Sequence, residues 1–192
     1  AWDKVRYPDE LEHYETLRDG TESFFRPVKP TDEESLADML YSLSTQSIRR
    51  RYFTHTKTFP HKDMQKLTNI DYEQNLAIVG IVPSPAGEDI VAIAQYFLDP
   101  KTGVAEVAFI VQDEWQDKGM GSFLLEYITT IARSRGIRSF YATVLPMNKA
   151  MLQIFYNSGY EIKTEFDGDA YSITYELAKR KGEFDQRNVK LI

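Results

Sequence analysis

The hydrophobic period of this chain changes partway along, and the place of that change limits the fold more than any other feature. Residues 76–82, 90–98 and 105–111 are three largely apolar runs. Between them lie Pro83-Ser84-Pro85-Ala86-Gly87 and Asp99-Pro100-Lys101-Thr102-Gly103, turn-forming loops short enough for hairpins. The three runs therefore predict an antiparallel meander. Then Phe123, Leu124, Tyr127, Ile128, Ile131 and Ala132 recur at helical spacing, and Gly136 ends the helix. A strand at 139–145 follows, stopped by Pro146. Strand, helix, strand in that order implies a right-handed crossover and a parallel pair. Met151, Leu152 and Phe155 make another helical face, closed by Gly159. Strands at 160–165 and 170–177 flank the turn at Asp167-Gly168.

Ahead of the meander, residues 23–28 read as a short strand, placed at a sheet edge by Pro27. Pro30 to Glu34 read as a helix start that Thr31 or Asp32 can cap, with Leu36, Met39, Leu40 and Leu43 facing inward. Two further short helices are expected at 44–53 and 61–68, the second with Met64 and Leu67 inward. The sum is an α/β (α+β) domain, a mixed sheet with helices on both sides. Residues 1–22 are polar with scattered anchors and read as an amino-terminal extension or linker. Residues 23–180 form the domain, and 181–192 a carboxy-terminal tail. The chain starts at Ala1 without Met, which fits a piece of a larger polypeptide.

Composition excludes several functions. The 192 residues carry 23 Lys and Arg against 29 Asp and Glu, a net charge of −6. Non-specific nucleic-acid binding needs the opposite sign. With Cys 0 there is no thiolate nucleophile, disulfide or cysteine-based zinc site. The three histidines, His13, His55 and His61, show no metal-ligand spacing, so no metal is expected. No run reaches the ~18 apolar residues of a membrane helix and no signal peptide is visible, so a cytoplasmic location is expected.

The chemistry points to residues 105–125. An apolar strand runs into Gln112-Asp113-Glu114-Trp115, then Gln116-Asp117-Lys118-Gly119-Met120-Gly121, then a helix. Glycines two apart let backbone N–H groups approach an anion without Cβ interference. The helix start adds unsatisfied donors and partial positive charge. A phosphate or pyrophosphate is the natural guest. A tight strand-to-helix turn that happens to use two glycines satisfies the same spacing. A P-loop is excluded by the missing G-x-x-x-x-G-K-[ST], and a dinucleotide fold by the missing third glycine.

Gln116-x-x-Gly119-x-Gly121 resembles the Q/R-x-x-G-x-G/A motif of the GNAT superfamily of N-acetyltransferases. It stands in that family's order of meander, motif loop, helix, parallel strand, helix and two last strands. Asn148, with Gly159-Tyr160 eleven residues on, resembles the family's N-…-G-[FY] segment. Three further segments resemble the acetyltransferase domain of bacterial protein-lysine acetyltransferases, often fused to an acyl-CoA-synthetase-like region. They are Phe25-Arg26-Pro27, Leu43-Ser44-x-x-Ser47-x-Arg49-x-Arg51-Tyr52-Phe53 and Ala105-Glu106-Val107-Ala108-Phe109.

The resemblance implies acetyl-CoA bound in a splay between the strands at 105–111 and 139–145. The backbone of Phe109, Ile110 and Val111 would hold the pantetheine arm and the acetyl carbonyl. The backbone of Gln116, Asp117, Lys118, Gly119, Met120 and Gly121 would wrap the pyrophosphate. Asn148 would contact the cofactor or cap the next helix. Glu106 would be the general base, since an amine of pKa ~10.4 must shed a proton before it attacks a thioester. Glu106 alone, three residues past Gly103, reads more readily as a solvated residue at the strand start than as a base. Where many of the family have a tyrosine acid, this chain has Phe155. Tyr156 is the candidate acid, ~100° around the helix, and a thiolate of pKa ~8.5 can also leave unaided. Lys118, Arg133, Arg135 and Arg138 are expected near the phosphate end. Arg49, Arg50 and Arg51 read as solvated helix charges. The implied activity is acetyl transfer to protein lysines, an acyl-CoA synthetase being one plausible target. A small-amine acetyltransferase and a non-catalytic acyl-CoA-sensing module are the alternatives.

Overall fold

The computed structural model describes residues 6–43 and 70–179. The helices expected at 44–53 and 61–68, Arg49 to Arg51, His55, His61 and the tail lie outside them. The first described strand is β1 (His13–Thr16), paired antiparallel with β2 (Glu22–Pro27). A helix follows, α1 (Glu33–Ser42). The meander comes next as β3 (Asn75–Ser84), β4 (Gly87–Asp99) and β5 (Val104–Val111). Then come α2 (Met120–Ser134), β6 (Ser139–Val144), α3 (Lys149–Tyr156), β7 (Lys163–Phe166) and β8 (Tyr171–Glu176). One eight-stranded sheet holds them in the order β1-β2-β3-β4-β5-β6-β8-β7, with β5 and β6 the parallel pair.

Residues 76–82 of β3 and 90–96 of β4 are buried without interruption. A strand buried at every residue is covered on both faces. α2 lies on the face carrying Gly80 and Ala92, where a Cβ built on Gly80 would meet Met120 Sδ at 3.4 Å and Phe25 Cε1 at 3.1 Å. Gly136 ends α2 at φ 80°, with Ile137 N–H reaching back to the Ala132 carbonyl.

Two local expectations are corrected. β2 is not an edge strand, because β1 pairs with residues 22–25. Pro27 is tolerated because it lies beyond the end of that ladder, so its missing N–H breaks no bond. Asp32 does not cap α1 through its side chain. Its carboxylate instead grips Arg26 through two 2.8 Å bonds and accepts the Lys29 N–H at 2.7 Å. A mostly buried guanidinium next to it offers a stronger partner than helix amides do.

Candidate active site

The β5–β6 ladder is short. It pairs Val104 with Ser139, Ala105 with Phe140 and Glu106 with Tyr141, and stops there. Beyond that point β5 pairs only with β4 and β6 only with β8, so the two strands diverge. A cleft of about 570 Å³ opens in the gap. Glu106 to Val111 wall one side and Ala142 to Val144 the other. The loop before α2 and the start of α3 close the ends.

Strand alternation decides which backbone groups face this gap. Gln112 N–H bonds to Val91 of β4, whereas the Gly103 carbonyl receives Arg138 N–H from the β6 side. Even-numbered residues of β5 therefore turn their polar groups to β4, and odd-numbered ones to β6. Phe109 and Val111 thus offer backbone groups to the cleft, while those of Ile110 belong to the ladder with Ile93. The Val111 carbonyl is taken by Gln116 Nε2 at 3.1 Å.

The loop before α2 has two residues in the left-handed region, Asp117 at φ 64° and Gly119 at φ 88°. Successive amides in such a turn form an anion-binding concavity, and the first turn of α2 adds amides without helical partners. Gly119 is required by its backbone angle. Gly121 is favoured by packing: a Cβ there would lie 2.8 Å from Ile154 Cδ1, and that side chain would have to turn aside. The second glycine thus lets α2 approach α3 closely at the cleft, a reason the spacing alone does not reveal.

The expected residues divide. Glu106, Phe109, Ile110, Val111, Gln116, Asp117, Gly119, Gly121 and Asn148 all line the cleft. Met120 does not, its side chain being fully buried under β3. Lys118 turns away to Asp19 at 3.1 Å and lies over the Trp115 ring. Asn148 caps α3 by accepting Met151 N–H at 3.2 Å, and still borders the cleft. Tyr156 is off the site: it is 52% exposed and its hydroxyl meets Thr164 Oγ1 at 3.1 Å. Phe155, one residue earlier, is wholly buried and lines the cleft against Phe109. One step along a helix turns a side chain by ~100°, which separates them. Arg133 lies in the last turn of α2 and Arg135 and Arg138 just past it, ~20 Å from the helix start; Arg133 bonds Tyr160 and Arg135 bonds Tyr96.

Glu106 is half-buried. It stands in one row across three strands, opposite Phe97 of β4 and Tyr141 of β6. The Tyr141 hydroxyl points to Glu106 Oε2 at 3.4 Å. Burial, then the charges of Glu106 and Asp99, push the Tyr141 hydroxyl's pKa up. Glu106 also borders a second, shallower recess with Phe97, Asp99, Arg138 and Tyr141. The carboxylate thus sits between two openings.

Residues 43–160 match the model of the Acetyltransferase (GNAT) family. This chain belongs to the GNAT acetyltransferase family. An acetyltransferase of Pseudomonas aeruginosa is 26% identical over 164 residues, 85% of this chain and 88% of that protein. The acetyltransferase Pat of Mycolicibacterium smegmatis is 30% identical over 139 residues, 72% of this chain but 41% of that protein. The crystal structure of the GNAT domain of S. lividans PAT superposes with a TM-score of 0.80 at 31% identity, covering 89% of this chain and 99% of that one. Acetyl-CoA is the family's acetyl donor, and this site fits it. A strand pair splayed past Glu106 leaves the Phe109 backbone and the Val111 N–H without a β6 partner, a positive-φ loop lies at one end, and Phe109, Ile154 and Phe155 supply an apolar wall.

Three features of the site were not foreseen. Arg18 and Ser122 line the cleft, and Tyr141 faces Glu106. Ser122 follows the motif directly and was legible from it. Arg18 arrives from the turn between β1 and β2 and Tyr141 from β6, and no local pattern marks them.

Proposed function

We propose that this GNAT acetyltransferase transfers an acetyl group from acetyl-CoA directly to the side-chain amine of protein lysines, with Glu106 as the proton acceptor. The observation that carries the reading is the position of Glu106, shared by the cleft and the recess on the Phe97–Tyr141 row. The donor, when bound, supplies an activated acetyl group on sulfur. The chain's residues supply the rest. Amide groups of the 116–121 loop hold the phosphates, and a β5 amide at Phe109 or Val111 donates to the acetyl oxygen as charge builds there, worth up to ~3–4 kcal/mol for a well-aimed donor. The Phe97 and Tyr141 rings flank an aliphatic stem, and the carboxylates of Asp99 and Glu106 attract its ammonium. Glu106 then takes the proton that an amine of pKa ~10.4 must lose. Cys 0 leaves no thiol to carry an acetyl group, which supports direct transfer. Neither Phe155 nor Tyr156 protonates the leaving thiolate in this reading.

The lysine acceptor is supported by the segment at residues 105–109 and by the likeness to Pat of M. smegmatis and PAT of S. lividans. An acyl-CoA synthetase is the proposed target, in the cytoplasm, with this domain joined to a synthetase-like region. Mass spectrometry of candidate proteins incubated with acetyl-CoA tests it. Wild type acetylates lysine, and Glu106→Gln is slower by ~100-fold or more. Equal rates remove Glu106 from the role. Acetylation of small amines alone replaces the protein acceptor. Cofactor binding without turnover on any acceptor makes the domain an acyl-CoA sensor.

A further inference from the structure

Coenzyme A is strongly anionic, and this chain is acidic, so the cleft needs a local source of positive charge. Most cations expected to provide it are placed elsewhere. Lys118 is paired with Asp19, and Arg133, Arg135 and Arg138 stand at or beyond the opposite end of α2. Among the described residues that line the cleft, the one cation is Arg18. It comes from the turn between β1 and β2, about a hundred residues earlier in the chain.

That turn is held firmly. Leu17 is buried, its N–H bonds the Thr21 carbonyl at 2.9 Å, and Gly20 N–H bonds the Leu17 carbonyl at 2.9 Å. Asp19 accepts Thr21 N–H at 3.0 Å and binds Lys118 Nζ at 3.1 Å, pinning the turn to the loop before α2. The Arg18 stem consequently lies across Gly119. A Cβ on Gly119 would stand 3.1 Å from Arg18 Nε and 3.4 Å from its Cγ. Arg18 has no carboxylate within ion-pair distance among the described residues, although Asp117 lines the same cleft. Left alone, the Asp117 carboxylate would oppose a phosphate there. An adjacent guanidinium offsets it and offers a planar fork suited to phosphate oxygens.

We infer that Arg18, carried by the β1–β2 turn over Gly119, binds a phosphate of coenzyme A, so that the amino-terminal hairpin forms one wall of the cofactor site. This rests on the acetyl-CoA reading above. It assigns Lys118, the motif's own cation, to holding the hairpin in place through Asp19. Arg18 is exposed and its substitution removes nothing from the core.

Isothermal titration of the chain with coenzyme A, and with phosphate-free pantetheine by competition, tests it. Arg18→Ala is expected to weaken coenzyme A binding by about tenfold or more, and to lessen its salt dependence. Arg18→Lys should recover part of the loss, keeping the charge without the fork. Pantetheine should bind both proteins alike. If wild type binds coenzyme A and Arg18→Ala matches it within about twofold, the phosphate role is overturned while the donor reading stands. An equal loss for pantetheine overturns it too, since the effect would then be structural. No binding by wild type overturns both.

Discussion

A single step along α3 separates two aromatic residues into different environments. Phe155 is buried between Phe109 and Tyr175, whereas Tyr156 is exposed with its hydroxyl on Thr164. Tyr156→Phe therefore keeps most of the wild-type kcat in a steady-state assay. A loss of several orders of magnitude would make it the missing acid. Asp19 has its charge tuned by its neighbours. The Thr21 amide and hydroxyl, then Lys118, hold its carboxyl pKa at about 2, below the usual 3.8. Because the folded value is the lower one, its bonds are intact above the ordinary carboxylate range and are lost as pH falls through about 2. A carboxyl-detected NMR titration should place its midpoint at about 2, and higher when Lys118 and the Thr21 hydroxyl are removed, the amide of residue 21 still holding it below an ordinary carboxylate. At this scale Glu106 and the motif glycines were legible, because each stands out within its own ten residues. The reason for Gly121 was not, since Ile154 meets it only after α2 and α3 pack.

Elements were read more completely than their contacts. The period change located β3, β4, β5, α2, β6 and α3 within a few residues, because burial on one face imprints itself on the sequence. β1 was missed, since His13 to Thr16 are largely exposed and carry no alternating apolar pattern. The tie between β2 and α1 was misread as a cap. Arg26 and Asp32 are both mostly buried and doubly bonded, and the Tyr72 hydroxyl closes the same corner on the Val28 carbonyl at 2.7 Å. Asp32→Ala strands the guanidinium and the Lys29 amide, and should cost ~3–5 kcal/mol in urea unfolding. Replacing both partners, Arg26→Met with Asp32→Leu, should cost less than either single loss, because no buried charge is then left alone. A double variant as unstable as the single ones would make the corner a packing feature instead.

At the scale of the whole molecule, the described residues form one eight-stranded sheet that holds a cleft whose walls come from β5, β6, α2, α3 and the β1–β2 turn. A ligand that spans so many elements binds the folded chain and not the unfolded one. Acetyl-CoA at ~100 times its Kd should add ~2.7 kcal/mol and raise Tm by ~5–10 °C in a thermal-shift assay. No shift at saturating donor would remove the cleft from the cofactor role. No helix among the described residues is long and apolar enough to cross a membrane. The amino-acid sequence alone determined the order of elements from β3 onward, the parallel pair, the paired-glycine loop and the carboxylate on β5, because each depends on residues adjacent in the chain. Only the tertiary structure decided that β5 and β6 part after Glu106, that Lys118 is spent on Asp19, and that Arg18 reaches Gly119. Those facts depend on which side chains meet across strands and helices far apart in the chain, and local periodicity carries no record of such meetings.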